Sequence, residues 1–480
     1  MKMPEKIILR LLEDAVGKEN VSDDESILIA YSRDQYWNFV PPKMPDYVVR
    51  PKNTEEVQAV MRIANRYRIP VIPMSSGVNV RGLCIPEQGG IVLELKRMNR
   101  IIEINKDAMT ATVEPGVTMV EFVASARKLG LRPAVPGAPA VVSPVSNYML
   151  RGVYHHISSI GIDHVLSMEI VLPNGELLYT GSAAFPNIGP YSRFGFGPDL
   201  TGLFMGQPGT MGVVTKLTCR MYPLPEAEEW LGAGFNDLSK AVKFVDELMT
   251  EKLLASCWLL HWSVPLITMA PSRDLQKLRE DVLGGCEWFI NLTFESSKGL
   301  IDYKRKAVEK IVQKYKPDLI GGPLPMEVGP IKNEWMYPRR IFNWFKFGNY
   351  FALAFWGPLT KFEEYHDLGL KFWKKHGLDP EKFSIIAAPT EPYCGKLSYI
   401  EMECFYDSTN RAEAESLTAF TSDMTNELIE LGIYGWFRPY ALAVKASLGK
   451  LKGNYVELWK KIHDIIDPNN TMNPGKLWPV

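Results

Sequence analysis

Residues 70–82 read PVIPMSSGVNVRG, an apolar run that breaks into small residues and then leads through residues 86–90 into a second apolar run at Ile91, Val92 and Leu93. Ser75, Ser76 and Gly77 carry so little side chain that backbone N–H groups can come close to an anion there. Taken alone, the stretch reads either as an ordinary turn between strands or as a cradle for a diphosphate. Its surroundings favour the cradle. Asn53 followed three residues later by Glu56 is a capping box, and Val57, Val60, Met61 and Ala64 recur at helical spacing. A helix therefore delivers the chain into the Pro70 strand, with the loop at the strand's end.

A chain of 480 residues with 46% hydrophobic content can bury a large core and divide into two domains. A net charge of −1 gives no broad field for nucleic acid or anionic lipid, so neither is expected as a partner. The cysteines at 84, 219, 257, 286, 394 and 404 form no Cys-x-x-Cys pair and have no histidine at zinc spacing, so no metal site is expected. They read as reduced thiols of a cytoplasmic protein, with a disulfide-free periplasmic location left open. The start, MKMPEKIILRLLEDAVG, has Glu13 and Asp14 where a signal peptide needs an apolar core, and reads as a helix. No run of eighteen uncharged apolar residues reads as a spanning helix.

Along the chain, a helical lead-in ends in the proline-rich residues 39–45. Strands are expected at residues 91–95, 101–105 and 111–113. A helix follows from Thr118, capped by Glu121, with Met119, Phe122, Val123 and Ala126 inward and Gly130 as its stop. Residues 131–168 are irregular. Residues 169–179 form a hairpin about Pro173-Asn174-Gly175. A second glycine-rich run, 202–212, enters a strand at 213–221. After residue 226 a helix at 239–252 opens a stretch of alternating strands and helices. Trp335, Tyr337, Trp344, Phe345, Phe347, Tyr350, Phe355 and Trp356 crowd one segment, either a packed core or subunit contact, or a substrate-site wall. A last helix from Tyr455 carries Tyr455, Leu458, Trp459, Ile462 and Ile466 on one face and stops at Asp467-Pro468.

Taken in order, PVIPMSSGVN, GGIVLELKRMNRIIEIN, VEPGVT, RGVYHHISSIGIDHVLSMEIVLPNGELLYTG, GFGPDLTGLFMGQPGTMGVVTK and IIDPNNTMNPGKLWP resemble the vanillyl-alcohol oxidase and p-cresol methylhydroxylase (PCMH) family of flavoproteins over nearly the whole chain. The resemblance implies an α+β fold of two lobes. A PCMH-type FAD-binding domain would span residues 1–225, an α/β cap or substrate domain 226–450, and a tail, 451–480, would return to the FAD domain. It implies FAD rather than a nicotinamide cofactor, and the strand-linked Gly-x-Gly-x-x-Gly fingerprint is missing from the sequence.

By the same resemblance, Met74, Ser75, Ser76, Gly77, Val78 and Asn79 match the diphosphate loop. Ser143, Ser146 and Asn147 match the stretch beside the flavin, and Gly209, Thr210, Gly212 and Val213 the segment near the adenosine portion. Asn473 and Lys476 match the returning tail, with a solvated lysine as the other reading of Lys476. The phenol-oxidising members hold a phenolate with two tyrosines, an arginine and an aspartate. Here Arg438 keeps the arginine, Phe437 stands where a tyrosine is expected, Arg81-Gly82 replaces a Gly-Tyr pair, and the acidic residue near Val135-Pro136-Gly137 is missing.

Arg81 and Arg438 facing one cavity would suit a planar carboxylate. Arg81 turned to solvent or to an FAD phosphate is the alternative. His164, after Asp163, is the favoured flavin-side histidine and general base, with His155 and His156 behind it and a structural histidine as the alternative for each. The strand where relatives attach FAD through histidine, Lys396-Leu397-Ser398-Tyr399-Ile400-Glu401, contains none. Noncovalent FAD is expected, with Tyr399 available for a tyrosyl link.

The expected activity is an FAD-dependent oxidase or dehydrogenase that moves a hydride from a small alcohol or para-alkylphenol to flavin, then to oxygen or a cytochrome or iron–sulfur subunit. A 2-hydroxy-acid dehydrogenase and a flavin-bearing electron-transfer subunit without its own substrate are the alternatives. A homodimer or higher oligomer is expected, with residues 335–356 as the place to look for its contact.

Overall fold

Asn53 starts the helix Thr54–Tyr67 by accepting the Glu56 N–H at 2.8 Å. The reciprocal bond is displaced by one residue, because Glu56 Oε2 accepts the N–H of Lys52 at 2.9 Å. Val57, Val60, Met61 and Ala64 are all fully buried, as their spacing requires. They pack on strands β2 (Tyr47–Val49), β3 (Val71–Met74) and β4 (Ile91–Glu94), which with the short β1 (Val21–Ser22) form a sheet ordered β1-β2-β4-β3. β3 and β2 both pair with β4 in parallel, so the Pro70 strand ends beside the end of β4.

The computed structural model describes residues 5–78, 81–136, 140–150, 161–264, 274–321, 348–389, 397–431, 433–438 and 449–477, and over these the fold is α+β. The next strands are β5 (Ile101–Asn105), β6 (Thr110–Val113), β7 (Leu131–Arg132), β8 (Val165–Val171), β9 (Leu177–Tyr179), β10 (Val213–Arg220) and β11 (Tyr222–Pro223). They make an antiparallel sheet ordered β5-β6-β10-β8-β9 and a β7–β11 pair. The β8–β9 hairpin turns where Pro173-Asn174-Gly175 places it, with Val171 opposite Leu177. β8 begins at Val165, earlier than the sequence pattern suggests, because Val165 to Met168 are buried without alternation. The helix Met119–Arg127 has the full reciprocal box between Thr118 and Glu121.

The remaining strands form one large sheet. They are β12 (Ala227–Phe235), β13 (Ser256–His261), β14 (Trp288–Ser296), β15 (Leu319–Gly321), β16 (Asn349–Pro358), β17 (Ser384–Pro389), β18 (Leu397–Tyr406) and β19 (Tyr434–Arg438), ordered β15-β12-β14-β13-β17-β18-β16-β19. Helices cover one of its faces. Phe351, Leu353, Phe355, Ile385, Ile400 and Met402 pack there with Phe244 and Leu248 of the helix Leu238–Thr250 and with Leu417, Phe420 and Met424 of the helix Arg411–Glu430. Because side chains alternate along a strand, the intervening residues point to the other face. That face meets the smaller sheets. Arg132 of β7 forks onto Glu295 of β14, with Nη1 to Oε1 at 2.8 Å, and Arg81 reaches Glu401 of β18.

The tail closes back on β3. Val71 donates to Thr471 O at 2.7 Å and accepts from the Asn473 N–H at 2.8 Å, and buried Asp467 caps the turn by accepting from the N–H groups of Thr471 and Met472. The preceding helix, Tyr455–Ile466, docks by only half of its apolar face. Ile462 and Ile466 pack on the core beneath β6, β8 and β10, whereas Tyr455 and Leu458 are 61% and 54% exposed, so the face expected from the sequence is only partly used. Among the described residues no helix is long and apolar enough to cross a membrane.

Candidate active site

β3 ends at Met74, and the chain bends at Ser75 and Ser76 before Gly77, whose φ of +73° a side chain would strain. Met74 is buried with Ile72 and Val92 and anchors the turn from beneath. Beyond it opens a cleft with about 930 Å³ of atom-free space, open solvent included. Ser75, Ser76, Gly77 and Val78 line it together with Ser146, Gly209 and Gly212. Gly209 has φ +71°, and a Cβ there would sit 3.0 Å from Pro73 Cδ, so the two glycine-bearing runs approach closely only because this residue is bare.

The other expected cofactor residues support this cleft from behind. Thr210 Oγ1 donates to Gln207 Oε1 at 2.7 Å, and Val213 is buried at the start of β10. Ser143 starts the short helix Pro144–Met149, its carbonyl accepting Asn147 Nδ2 at 3.0 Å. Asn473 Nδ2 donates to Leu83 O at 3.1 Å and to Pro208 O at 2.7 Å, so one amide ties together two segments of the cleft wall. Lys476 is neither in the wall nor solvated. It is buried and donates to Glu87 Oε1 at 2.8 Å. Asn79 lies outside the described residues, as do His155 and His156.

The cleft fits FAD on its own geometry. Its turn offers backbone donors with almost no side chain in the way, its remaining wall includes Leu83, Met149 and Phe204, and behind that wall the buried Ser143 Oγ and Asn473 Oδ1 have no partner among the described residues.

His164 sits elsewhere. It is buried beside Tyr148 and Tyr222, and its Nδ1 lies 2.9 Å from the Tyr222 hydroxyl. Burial, with Arg220 nearby, pushes its pKa down to about 3, so it stays neutral near pH 7 and is a weak proton acceptor.

Arg81 points away from solvent. Its guanidinium is buried, donates to Ala352 O at 3.1 Å and to Glu401 at 3.3 Å, and lies 5.3 Å from the centroid of the Tyr36 ring. It therefore bridges the segment after the 75–78 turn to the helix-free face of the large sheet. Two rows stand out on that face. In one, Ala354 of β16 pairs with Glu401 of β18 and, on its other side, with Arg438 of β19. In the next, Trp356 pairs with Tyr399, and Ala388 of β17 lies beside Tyr399, with Trp258 packed against them. The Tyr399 hydroxyl donates to Glu401 Oε2 at 2.8 Å. On the other side of the Glu401 row, Glu403 pairs with Ala352 and accepts from the Tyr350 hydroxyl. Of the crowded aromatic segment, residues 335–347 lie outside the description, while Phe355 belongs to the core and Trp356 to the open face.

Comparison with known proteins fits this geometry. Residues 45–181, which contain the turn and the β8–β9 hairpin, match the FAD binding domain model. The chain is 24% identical to the 4-cresol dehydrogenase [hydroxylating] flavoprotein subunit of Pseudomonas putida, covering 96% of this chain and 93% of that one. Residues 45–181 form an FAD binding domain, and over its whole length the chain is similar to flavoproteins of the p-cresol methylhydroxylase type. FAD is its cofactor.

This flavoprotein is also 32% identical to glycolate oxidase subunit GlcD of Bacillus subtilis, over 50% of this chain and only 49% of that relative's length. Among solved structures it superposes on 4-ethylphenol oxidase from Gulosibacter chungangensis, in its isoeugenol complex, with a TM-score of 0.86. That match has 22% identity and covers 99% and 97% of the two chains, which shows the shared fold.

Sequence reasoning passed over Glu401 and Glu403 as site residues. The available signal was the alternation Tyr399-x-Glu401-x-Glu403 inside an otherwise apolar strand, which puts two acids and a phenol on one face.

Proposed function

We propose that this flavoprotein is an FAD-dependent oxidase or dehydrogenase that oxidises a small neutral hydroxylated substrate, an alcohol or a para-alkylphenol, seated between the cleft and the helix-free face of β16–β19. When bound, FAD supplies the two-electron acceptor. The small residues of the 75–78 turn, with Gly209 and Gly212, would hold the diphosphate by backbone donors, and Ser146 and Asn473 would fix the remainder from the sides. No histidine is present on β18 to anchor the ring, and noncovalent binding fits the Tyr399 hydroxyl being engaged with Glu401.

The observation that carries the substrate class is the Arg81–Glu401 pair. Its two side chains are 4% and 7% exposed, so the positive charge of Arg81 is already matched by a carboxylate. A substrate carboxylate arriving there would meet Glu401 and Glu403 as well as Arg81, whereas a hydroxyl and an aromatic or alkyl body would meet acceptors, Trp356 and Tyr399. The 2-hydroxy-acid reading keeps one observation in its favour. Arg438 occupies the register position beside Ala354, which on its other side pairs with Glu401, so a second arginine belongs to the same row.

Anaerobic mixing of the purified holoprotein with 4-cresol, 4-ethylphenol, benzyl alcohol, glycolate and D-lactate separates these readings. The flavin band should bleach with one of the first three and persist with the two acids. Bleaching by an acid alone would move the assignment to 2-hydroxy acids. Bleaching by none of them, with a reduced cytochrome or iron–sulfur protein still reducing the flavin, would point to an electron-transfer subunit.

A further inference from the structure

Oxidising an alcohol or phenol removes a hydride from carbon and a proton from oxygen, so the chain must offer a group to take that proton. His164 is buried and neutral beside Tyr222, and Arg81 is a cation. The helix-free face of β18 carries a better group. We propose that Glu403, set beside Glu401 in a carboxylate pair on that face, takes the hydroxyl proton of the substrate. This inference rests on the functional reading above and names the residue that completes it.

Glu401 is accounted for by the fold, because Arg81 and the Tyr399 hydroxyl bond its two oxygens. Glu403 is not. It is 4% exposed, and among the described residues no cation forms an ion pair with it, its hydrogen-bond partner being the Tyr350 hydroxyl. Burying a second carboxylate two residues from the first, with one arginine between them, costs stability unless the site needs it. The neighbourhood also has an unused polar atom. Ser384 of β17 pairs with Glu403 in register and therefore shares its face, is 5% exposed, and its buried Oγ has no partner among the described residues. That hydroxyl and the Glu403 carboxyl continue the Glu401 row on the side away from Trp356 and Tyr399, so the apolar wall of those two rings runs into a polar end, the pattern of a site that orients a hydroxylated ring or chain.

The titratable and charged groups around Glu403 are Glu401 and Tyr399 on its own strand, Tyr350 on β16 and Arg81 from the segment after β3, with Asp34 beyond Arg81. Burial and the Glu401 charge push the Glu403 carboxyl up to about 8. Glu403 thus keeps its proton near neutrality and becomes a base matched to a weakly acidic hydroxyl as pH rises. In the step itself the substrate O–H bond breaks, its electron pair stays on the substrate oxygen, and the proton bonds to a Glu403 oxygen. The C–H pair leaves as hydride to the flavin oxidant named above.

Two measurements on the holoprotein and on Glu403→Gln test this. Infrared difference spectra between pH 6 and pH 10 need no turnover. They should show a protonated carboxyl band lost at high pH, absent in Glu403→Gln. Anaerobic flavin reduction by 4-ethylphenol, or by whichever neutral substrate bleaches the wild type, should slow by roughly 100-fold or more in Glu403→Gln and lose its rise through about pH 8, with FAD content unchanged, while Glu403→Asp recovers part of the rate. A missing carboxyl band, or a Glu403→Gln rate and pH profile equal to wild type, overturns the assignment. A wild-type flavin that no neutral substrate reduces overturns the functional reading first and the assignment with it, even when the carboxyl band is present.

Discussion

Arg81→Ala is expected to destabilise the protein by about 3–5 kcal/mol, the usual cost of removing one partner from a buried ion pair. Arg81 joins the segment after the 75–78 turn to β16 and β18, and its loss leaves the Glu401 carboxylate buried beside Glu403 without its guanidinium partner. Thermal unfolding should show a midpoint lowered by roughly 5 °C. Adding Glu401→Gln to Arg81→Ala should recover much of the loss, because a neutral amide leaves no buried charge. A deficit below about 1 kcal/mol would mean that the pair is not buried as described.

Gly209→Val is expected to give a folded protein that purifies nearly colourless. Its backbone φ of +71° costs a branched residue about 1–3 kcal/mol, and the new Cβ would start 3.0 Å from Pro73 Cδ at the wall of the cleft. The ratio of flavin absorbance to protein absorbance should fall at least tenfold, with far-ultraviolet circular dichroism unchanged. Full flavin content in this variant would place the cofactor somewhere other than against the second glycine-rich run.

The parts of this molecule that could be read from its sequence are those fixed by neighbours along the chain. The Thr118–Glu121 box, the Asn174-Gly175 hairpin and the helix before Pro70 are each decided within a few residues, where capping and turn chemistry dominate. The small residues at 75–77 and 209–212 were also legible, because close backbone approach leaves a compositional trace.

What stayed hidden depends on partners far away in sequence. Arg81 meets Glu401 across 320 residues and Arg132 meets Glu295 across 163, and neither arginine carries any local sign of its partner. Glu403 was overlooked for the same reason. On a strand read one residue at a time it is an ordinary acid, and it becomes unusual only when the sheet places it opposite Ala352, buried and in no ion pair among the described residues. The last helix shows the converse limit. Periodicity marks which residues of Tyr455–Ile466 can be buried, but only the packing partner decides that Ile462 and Ile466 are, while Tyr455 and Leu458 stay in water.

The visible absorption spectrum of the purified protein, recorded before and after acid precipitation, tests the central claim that the 75–78 turn and the 209–212 run build a noncovalent FAD site. A flavin spectrum at close to one equivalent, with the colour released into the supernatant, is the predicted result. A protein that stays colourless after incubation with excess FAD would contradict the cofactor site itself, and colour retained in the pellet would contradict the noncovalent attachment.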